Sequence, residues 1–293
     1  MNSKFREFIH LAFNESLHDS FDYKLIRESE WKNTYLLLVQ DNQFIVQIRK
    51  KVGFYEHVVE ALKVWNENKC NVSQLIYFEN SEKYMAYVFP YIKGVVAKDA
   101  ILLEDNILSD KELLFNIGKK IRELCTENTN GFGWLVDSFT GQFNSWHEYL
   151  NNIVVGNINK IRDICSEKDI DNILTLLNKN KEKFMHINPK LLYVDINLGN
   201  IIVNNNDIWI IDYDYLISGD ELWIVALFEV LYDQLAGREY FAKGFLFNNE
   251  MVDTELLTLY KILHLIQLTS SKNVEKQESY RREKLLLKII KDI

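Results

Sequence analysis

Leu191-Leu-Tyr-Val-Asp-Ile-Asn-Leu-Gly-Asn-Ile-Ile-Val203 is followed directly by Asn204-Asn-Asn-Asp-Ile-Trp-Ile-Ile-Asp-Tyr-Asp214. These two segments are the most informative part of the sequence about the fold. An apolar run leads to Asp195, a short polar turn contains Asn200, and a β-branched strand begins immediately after that turn. A second strand then ends in Asp212. Because a tight connection joins the two strands, we expect these three polar side chains to lie close together.

Their chemistry suits phosphoryl transfer from ATP or GTP. That reaction needs a carboxylate beside the acceptor hydroxyl, and it needs oxygen ligands for Mg²⁺ at the phosphates. We interpret Asp195 as the catalytic residue and Asn200 and Asp212 as metal ligands. Any one of them alone is more often a turn former or a strand cap. Three of them at this spacing, with two apolar strands between them, favour the catalytic interpretation.

The spacing also resembles the catalytic core shared by protein kinases and antibiotic or choline kinases. The segments YVDINLGNIIV and IIDYDYLISGDELW are similar to two segments of the aminoglycoside phosphotransferase family. Further segments resemble the hygromycin B phosphotransferase group in order and approximate spacing: GFYE at 53–56, GFGWL at 131–135, SW at 145–146 and LYKILHLIQL at 259–268. The likeness therefore runs over most of the chain.

This resemblance implies an α+β, two-lobed, protein-kinase-like fold. Residues 1–92 would form a small antiparallel-sheet lobe that binds the nucleotide. Residues 93–293 would form a larger, mostly helical lobe for catalysis and substrate binding. Tyr193 stands where the family has His, and a residue at that position braces the catalytic loop rather than doing chemistry.

The small lobe would supply the cofactor-binding residues. A hairpin, Thr34–Val39 and Phe44–Arg49, follows a loop at 28–33 that would cover the phosphates. A helix over 53–68 carries Val58, Ala61, Leu62 and Trp65 at helical spacing. The predicted cofactor-binding residues are Gln47 and Arg49 on the strand, Glu60 on the helix, and the main chain of Pro90, Tyr91 and Ile92 at the hinge.

Two features depart from the family pattern. The loop at 28–33 contains no glycine, although close approach of a backbone to phosphate usually calls for one. The family's basic strand residue falls on Gln47. Arg49 points to the same strand face as Gln47, because side chains alternate with period two, so Arg49 or Lys50 is the candidate substitute. Lys32 in the loop is another candidate cation.

A run of acidic residues follows the catalytic stretch, and we predict that it binds the substrate. Its members are Asp214, Asp220, Glu221, Glu229 and Asp233. Complementation of a helix dipole fully accounts for Asp220 and Glu221, at about 0.3–1 kcal/mol each, and explains the other three less well.

The bulk composition agrees with a small, cationic substrate. The 293 residues carry a net charge of −8, which argues against nucleic acid and anionic membranes as partners. Three widely spaced cysteines fit a reducing cytosol and no zinc site. No apolar run approaches the length of a membrane span. We therefore expect a cytoplasmic monomer.

The most favoured function is phosphorylation of an aminoglycoside such as hygromycin B. One alternative keeps the chemistry and changes the acceptor to choline, a sugar or homoserine. Another is a pseudokinase that binds a ligand without transferring phosphate, which Gln47 and the glycine-free loop favour. A structural, spore-coat-like relative of the same fold also stays open.

Overall fold

The computed structural model describes residues 8, 9, 12, 21–50, 56–101, 110–205, 207–247, 251–270 and 275–293. Most of the amphipathic helix that we predict for residues 1–20 lies outside these residues. Phe8, Ile9 and Ala12 are helical, and Phe8 and Ile9 are buried. Among the described residues, no helix combines the length and the apolar character that crossing a membrane requires.

Strands predominate in the first third of the chain, and helices predominate in the rest. The strands are β1 (Phe21–Glu28), β2 (Lys32–Val39), β3 (Asn42–Lys50), β4 (Tyr77–Asn80), β5 (Tyr84–Pro90), β6 (Val95–Val96), β7 (Phe132–Leu135), β8 (Gly141–Phe143), β9 (Lys190–Tyr193), β10 (Ile201–Asn204), β11 (Asp207–Ile210) and β12 (Leu216–Gly219). The helices are α1 (Glu56–Glu67), α2 (Ala97–Ala100), α3 (Asp110–Leu124), α4 (Trp146–Gly156), α5 (Ile158–Ile164), α6 (Glu167–Lys179), α7 (Lys181–Phe184), α8 (Leu222–Leu231), α9 (Glu239–Phe245), α10 (Thr254–Thr269) and α11 (Lys276–Ile290).

The chain divides into two compact units. Unit 1 comprises Met1–Leu102 and Leu198–Ile211, and unit 2 comprises Leu103–Asn197 and Asp212–Ile293. The segment Leu198–Ile211 belongs to unit 1 because β10 pairs with β6 and the Ile210 amide donates to the Asn71 carbonyl at 3.0 Å. The lobe boundary that we place between residues 92 and 93 stays a prediction.

Unit 1 is built on a five-stranded antiparallel sheet with the order β1-β2-β3-β5-β4. The predicted hairpin is confirmed as β2 and β3, which Gln40 and Asp41 connect. Gln40 has a φ of 55°, the left-handed conformation that a two-residue hairpin turn requires. One face of the sheet buries Leu37, Val46 and Val88 together with Phe8 and Ile9.

The predicted helix over 53–68 is confirmed as α1. Val58, Ala61, Leu62 and Trp65 are all buried, as their helical spacing predicts. A smaller sheet in the same unit has the order β11-β10-β6. In this sheet β10, the strand that follows Asn200, lies between β11 and β6.

Unit 2 combines a four-stranded sheet, β8-β7-β12-β9, with most of the helices. Three aromatic side chains form a buried centre in this unit. The Trp146 indole N–H donates to the Tyr260 hydroxyl at 2.7 Å, and Trp223 packs edge-on against both rings. The α+β, kinase-like fold class that the sequence predicts is therefore confirmed: an antiparallel sheet in the N-terminal region and helices in the C-terminal region.

Candidate active site

Asp195 lies where the ladder between β9 and β12 ends. Tyr193 is the last β9 residue in register, opposite Leu216, and the Val194 amide then donates to the Tyr215 carbonyl at 3.1 Å. The Asn197 amide donates to the Asp195 carbonyl at 2.7 Å and closes a tight turn. Asp195 is half-buried. The sheet of unit 2 therefore carries the candidate base at a strand end that secondary-structure hydrogen bonds hold in place.

Asn200 belongs to unit 1 and ends a 3₁₀ turn, Leu198–Asn200, just before β10. It is 8% exposed. Its carbonyl accepts a hydrogen bond from the Ile211 amide at 2.8 Å, which extends the β10–β11 pairing by one residue. Asp212 is the next residue along the chain.

Asp212 has an unusual backbone conformation. Its φ is 66°, in the left-handed region that few residues other than glycine adopt. Such strain is found preferentially at functional sites, where the surrounding structure holds it. Here the fully buried Tyr193 contributes to that support, because its hydroxyl donates to the Asp212 carbonyl at 3.1 Å. The brace that we expect at position 193 therefore acts on the main chain of a predicted metal ligand.

Asp212 and Asn200 have the donor chemistry that Mg²⁺ prefers, a carboxylate and an amide oxygen. Within the described ranges, no group of three or more His, Cys, Asp and Glu side chains could hold a metal ion. A magnesium ion that arrives with a nucleotide does not need such a cage, since phosphates and water complete its coordination. Each of the two side chains is therefore of a type that suits a nucleotide-bound magnesium ion, and magnesium binding by them stays a prediction.

Asp214 is the predicted substrate ligand that lies beside Asp195 in unit 2. It is half-buried and directly precedes Tyr215, whose carbonyl bonds to the residue before Asp195. Asp220 and Glu221 follow the other end of β12, where Gly219 pairs with Lys190 at the start of β9. The intervening four-residue ladder spans about 10 Å at roughly 3.4 Å per residue. The structure therefore does not bring Asp220 and Glu221 next to Asp195.

The four later acidic residues all have partners within unit 2. Asp220 accepts from the Tyr260 hydroxyl at 2.7 Å and from the Leu222 amide at 3.0 Å. The Glu221 carboxylate pairs with Arg122 at 2.6 Å. Glu229 pairs with Lys261, and Asp233 pairs with Arg281. Substrate binding by these residues stays a prediction, and it would compete with these contacts.

Burial perturbs two groups in this region. Burial raises the pKa of Glu221, and the Arg122 guanidinium opposes that shift. Burial also raises the pKa of the Tyr260 hydroxyl well above its usual value, and the adjacent Asp220 adds to the effect. Burial is the largest cause of both pKa shifts.

The predicted cofactor-binding strand residues lie on β3 in unit 1. Gln47 is half-buried between Thr34 and Tyr87 in the sheet. Arg49 is buried between Lys32 and Met85. Both point away from the face that buries Val46, because side chains alternate along a strand. Arg49 and Gln47 therefore lie on the same face of β3, as we expect. Their role in nucleotide binding stays a prediction.

A serine closes the glycine-free loop between β1 and β2. The Ser29 amide donates to the Lys32 carbonyl at 3.0 Å, and the Lys32 amide donates to the Ser29 Oγ at 2.9 Å. Trp31 is 54% exposed at the tip, and Lys50 Nζ lies 5.7 Å from the centre of its ring. Ser29 is absent from our sequence-based site residues. The sequence signal that could have found it is a serine, a residue that favours turns, within the predicted loop at 28–33.

The remaining cofactor-binding predictions lie on α1 and at the end of β5. Glu60 pairs with Lys63 at 2.7 Å on the helix surface. Pro90 has no amide hydrogen, and the Tyr91 amide donates to the Gln43 carbonyl at 3.0 Å. Ile92 is half-buried in the segment after β5. Nucleobase recognition there stays a prediction, with the Pro90 carbonyl and the Ile92 amide as its candidate groups.

A polar cleft of about 640 Å³ lies elsewhere in unit 2, among α6, α10 and the end of α11. None of the predicted site residues lines it. Its Lys179 pairs with Glu255, and its Lys261 pairs with Glu229. Both lysines of the cleft are therefore already paired with carboxylates.

The fold is similar to those of several small-molecule kinases. A ternary complex of aminoglycoside phosphotransferase APH(4)-Ia with AMP-PNP and hygromycin B superposes with a TM-score of 0.72 at 15% identity, over 97% of each chain. Choline kinase LicA from Streptococcus pneumoniae has a TM-score of 0.68 at 15% identity, over 99% of this chain and 100% of its own. A protein named as a fructosamine-3-kinase, from Haemophilus somnus 129PT, has a TM-score of 0.65 at 12% identity, over 98% of this chain and 96% of its own.

The similarity to these kinases is a similarity of three-dimensional structure. No protein-family model matches the chain, and no curated protein matches its sequence significantly. The similar structures include antibiotic, fructosamine and choline kinases, so the resemblance that the catalytic stretch indicates is confirmed at the level of structure. The chain therefore has the fold of the aminoglycoside phosphotransferases and related small-molecule kinases.

Proposed function

We propose that this protein is a small-molecule kinase that transfers the γ-phosphoryl group of ATP or GTP to a hydroxyl group. The observation that carries the proposal lies within unit 2. Asp195 and Asp212 flank the same end of the β9–β12 ladder, where the Val194–Tyr215 and Tyr193–Asp212 hydrogen bonds hold their main chains. The left-handed backbone conformation of Asp212 is strained, and the buried Tyr193 side chain supports it. Such strain is typical of functional sites.

Each proposed residue has one task. Asp195 orients the acceptor hydroxyl and accepts its proton while the acceptor oxygen bonds to the γ-phosphorus and ADP or GDP leaves. Asn200 and Asp212 hold Mg²⁺, which neutralises the negative charge of the phosphates when it is bound. Tyr193 is a positioning residue, because it acts only through the Asp212 main chain.

The proposed acceptor is an amino sugar or an aminoglycoside. Two lines of evidence support this class: the negative charge of the chain, and the fold shared with a phosphotransferase that was crystallised with hygromycin B. Asp214 is the substrate-binding residue that we retain, since it lies beside Asp195 in unit 2. Choline is the second candidate acceptor, which the similar fold of a choline kinase favours.

The test is magnesium-dependent nucleotide turnover by the purified protein. The acceptor panel contains hygromycin B, other aminoglycosides, fructosamine and choline. We expect turnover with at least one acceptor and a loss of about 10²- to 10⁴-fold in Asp195→Asn, the range that a general base contributes. Asp169→Asn is the matched control, because this aspartate caps α6 at the surface of unit 2.

Two results would contradict the proposal. In the first, Asp195→Asn turns over nucleotide as fast as the parent. In the second, no acceptor is phosphorylated and nucleotide gives no magnesium-dependent thermal shift. The second result would favour the pseudokinase interpretation, for which Gln47 and the glycine-free loop are the supporting features.

A further inference from the structure

Positive charge is concentrated on one face of the sheet in unit 1. Side chains alternate between the two faces of a strand, and the β1–β2 and β2–β3 ladders show which residues share a face. Within β1, β2 and β3, which the structure describes in full, four of the five basic residues share the face of Gln47: Lys24, Arg27, Lys32 and Arg49. Asp22 is the one acidic residue of these strands on that face. In a chain whose net charge is −8, such a face favours an anionic ligand.

A β-bulge at Ile26 places Arg27 on this face. Arg27 lies opposite Thr34, because the register shifts between Leu25 and Arg27. Without that shift, Ile26 would lie opposite Thr34, and Arg27 would point to the face that packs against the core of unit 1. Bulges often lie beside active sites, where they re-aim a side chain. This bulge directs the Arg27 side chain to the face of Gln47.

Arg27, Thr34 and Gln47 form one row across three strands. Thr34 lies opposite Arg27 in the β1–β2 ladder and opposite Gln47 in the β2–β3 ladder. Neighbouring strands are about 4.8 Å apart, so the backbones of Arg27 and Gln47 are roughly 10 Å apart. Thr34 is buried and Gln47 is half-buried, whereas Arg27 is exposed. The row therefore ends, at the edge of the sheet, in a cation that a ligand can reach.

The basic residues of β3 are less suited to contact a ligand on this face. Arg49 is 7% exposed, and its Nη1 atom is buried. Lys50 is exposed, but it lies opposite Tyr84, which packs against the core on the other face of the sheet. Lys32 lies opposite Arg49, in the row next to Arg27, and is half-buried. The accessible cations of this face are therefore on β1 and β2.

We propose that Arg27 binds the β- and γ-phosphates of the nucleotide and supplies the positive charge that position 47 lacks. A guanidinium donates two parallel hydrogen bonds to phosphate oxygens, which suits it to this task. Lys32, in the neighbouring row, is the second cation of the site. The inference rests on the proposed function, because it assigns the site to the nucleotide of a kinase, but phosphate binding is measurable without transfer.

The test measures nucleotide binding in the absence of an acceptor. ATP, GTP and AMP, each with Mg²⁺, are titrated into the intact protein by calorimetry. We expect Arg27→Gln to raise the Kd of the triphosphate that binds about tenfold or more. The Kd of AMP should change little, because AMP lacks the β- and γ-phosphates. Lys83→Gln is the matched control, since it removes one positive charge from the exposed turn between β4 and β5, and it should keep the parent Kd.

Returning the charge to β3 separates a charge contact from a structural effect. We expect Gln47→Lys, introduced into Arg27→Gln, to recover most of the lost affinity for the triphosphate, because both positions lie in one row. A structural role of Arg27 would not be rescued in this way. A double variant that binds as weakly as Arg27→Gln contradicts a shared phosphate site.

Three results would overturn the inference: a parent Kd for the triphosphate in Arg27→Gln, equal weakening of ATP and AMP, or weakening by Lys50→Gln in place of Arg27→Gln. If transfer proceeds in the parent while Arg27→Gln keeps the parent Kd, the inference alone is wrong. If transfer fails with every acceptor while triphosphate binding depends on Arg27, the proposed function is wrong and the phosphate site stands. Absence of nucleotide binding by the parent overturns both.

Discussion

The Tyr193 hydroxyl donates a hydrogen bond to the Asp212 carbonyl at 3.1 Å, and Asp212 accepts it with a φ of 66°. These residues are 19 positions apart and flank the β10–β11 hairpin along the chain. The bond ties the strand before the candidate base to the backbone of the candidate metal ligand. Removing it should affect both stability and catalysis.

Tyr193→Phe removes this hydrogen bond and little else. We expect a loss of about 1 kcal/mol in the free energy of unfolding, typical of one buried hydrogen bond. We also expect a fall of about tenfold in kcat with little change in the acceptor KM, because the bond positions a metal ligand. Urea unfolding and steady-state kinetics measure the two effects. Tyr149→Phe, at another buried tyrosine of unit 2, is the control and should leave kcat unchanged. An unchanged kcat in Tyr193→Phe would contradict the positioning role.

The strain at Asp212 can be measured by comparing Asp212→Gly with Asp212→Ala. Both variants lack the carboxylate, and we expect both to lose turnover. Glycine adopts a φ of 66° freely, whereas alanine does not. We therefore expect the glycine variant to be more stable by about 1 kcal/mol in urea unfolding. Equal stabilities would show that the left-handed conformation costs nothing here.

Asp214→Asn and Glu229→Gln separate substrate binding from ion pairing. For a cationic acceptor, we expect Asp214→Asn to raise KM about tenfold, because one direct charge contact is lost. Glu229→Gln should leave KM unchanged and lower the free energy of unfolding by about 1–3 kcal/mol, since it leaves Lys261 partly buried without its partner. If Glu229→Gln instead raises KM and keeps the parent stability, Glu229 is a substrate ligand.

Ser29→Ala tests the serine-closed loop between β1 and β2. The variant loses the Lys32–Ser29 hydrogen bond at 2.9 Å, so we expect a looser loop and a nucleotide KM about fivefold higher. Ser81 closes the turn between β4 and β5 in the same way, accepting from the Tyr84 amide at 3.1 Å. Ser81→Ala is therefore a matched control that should not change this KM. Equal effects of the two variants would argue against a specific role for the β1–β2 loop.

His264 should make the protein sensitive to acid. It is buried, its Nε2–H donates to the Trp223 carbonyl at 2.9 Å, and burial lowers its pKa to about 3 from 6.5. Above pH 6.5 neither state takes up a proton, whereas between pH 6.5 and 3 only the unfolded chain does. Stability is therefore complete above pH 6.5 and declines as the pH falls. The loss is about 2 kcal/mol at pH 5, at 1.36 kcal/mol per pH unit.

Urea unfolding of the parent and of His264→Gln at pH 7 and pH 5 measures this effect. Titrations common to both proteins cancel in the difference between their free energies of unfolding. We expect the advantage of the parent over the variant to shrink by about 2 kcal/mol between the two pH values. A constant difference would show that His264 takes up its proton in the folded protein as readily as in the unfolded chain.

The sequence predicts much of the fold because its signals are local. The spacing of Val58, Ala61, Leu62 and Trp65 predicts α1, and a polar turn between two apolar runs predicts the β2–β3 hairpin. Local patterns do not predict the roles of the acidic residues. A carboxylate in a helix has the same sequence pattern whether it binds a substrate or an internal cation.

Local residue patterns were sufficient to predict α1, the β2–β3 hairpin and the positions of Asp195, Asn200 and Asp212 next to strands, because hydrophobic periodicity and turn chemistry act between near neighbours. Which charged side chains are already paired could be read from the folded chain alone, since the partners are distant in sequence. Asp233 meets Arg281 across 48 positions, and Tyr260 meets Asp220 across 40. The face to which Arg27 points is likewise visible only in the folded chain, because a β-bulge in β1 reverses the simple alternation of side chains.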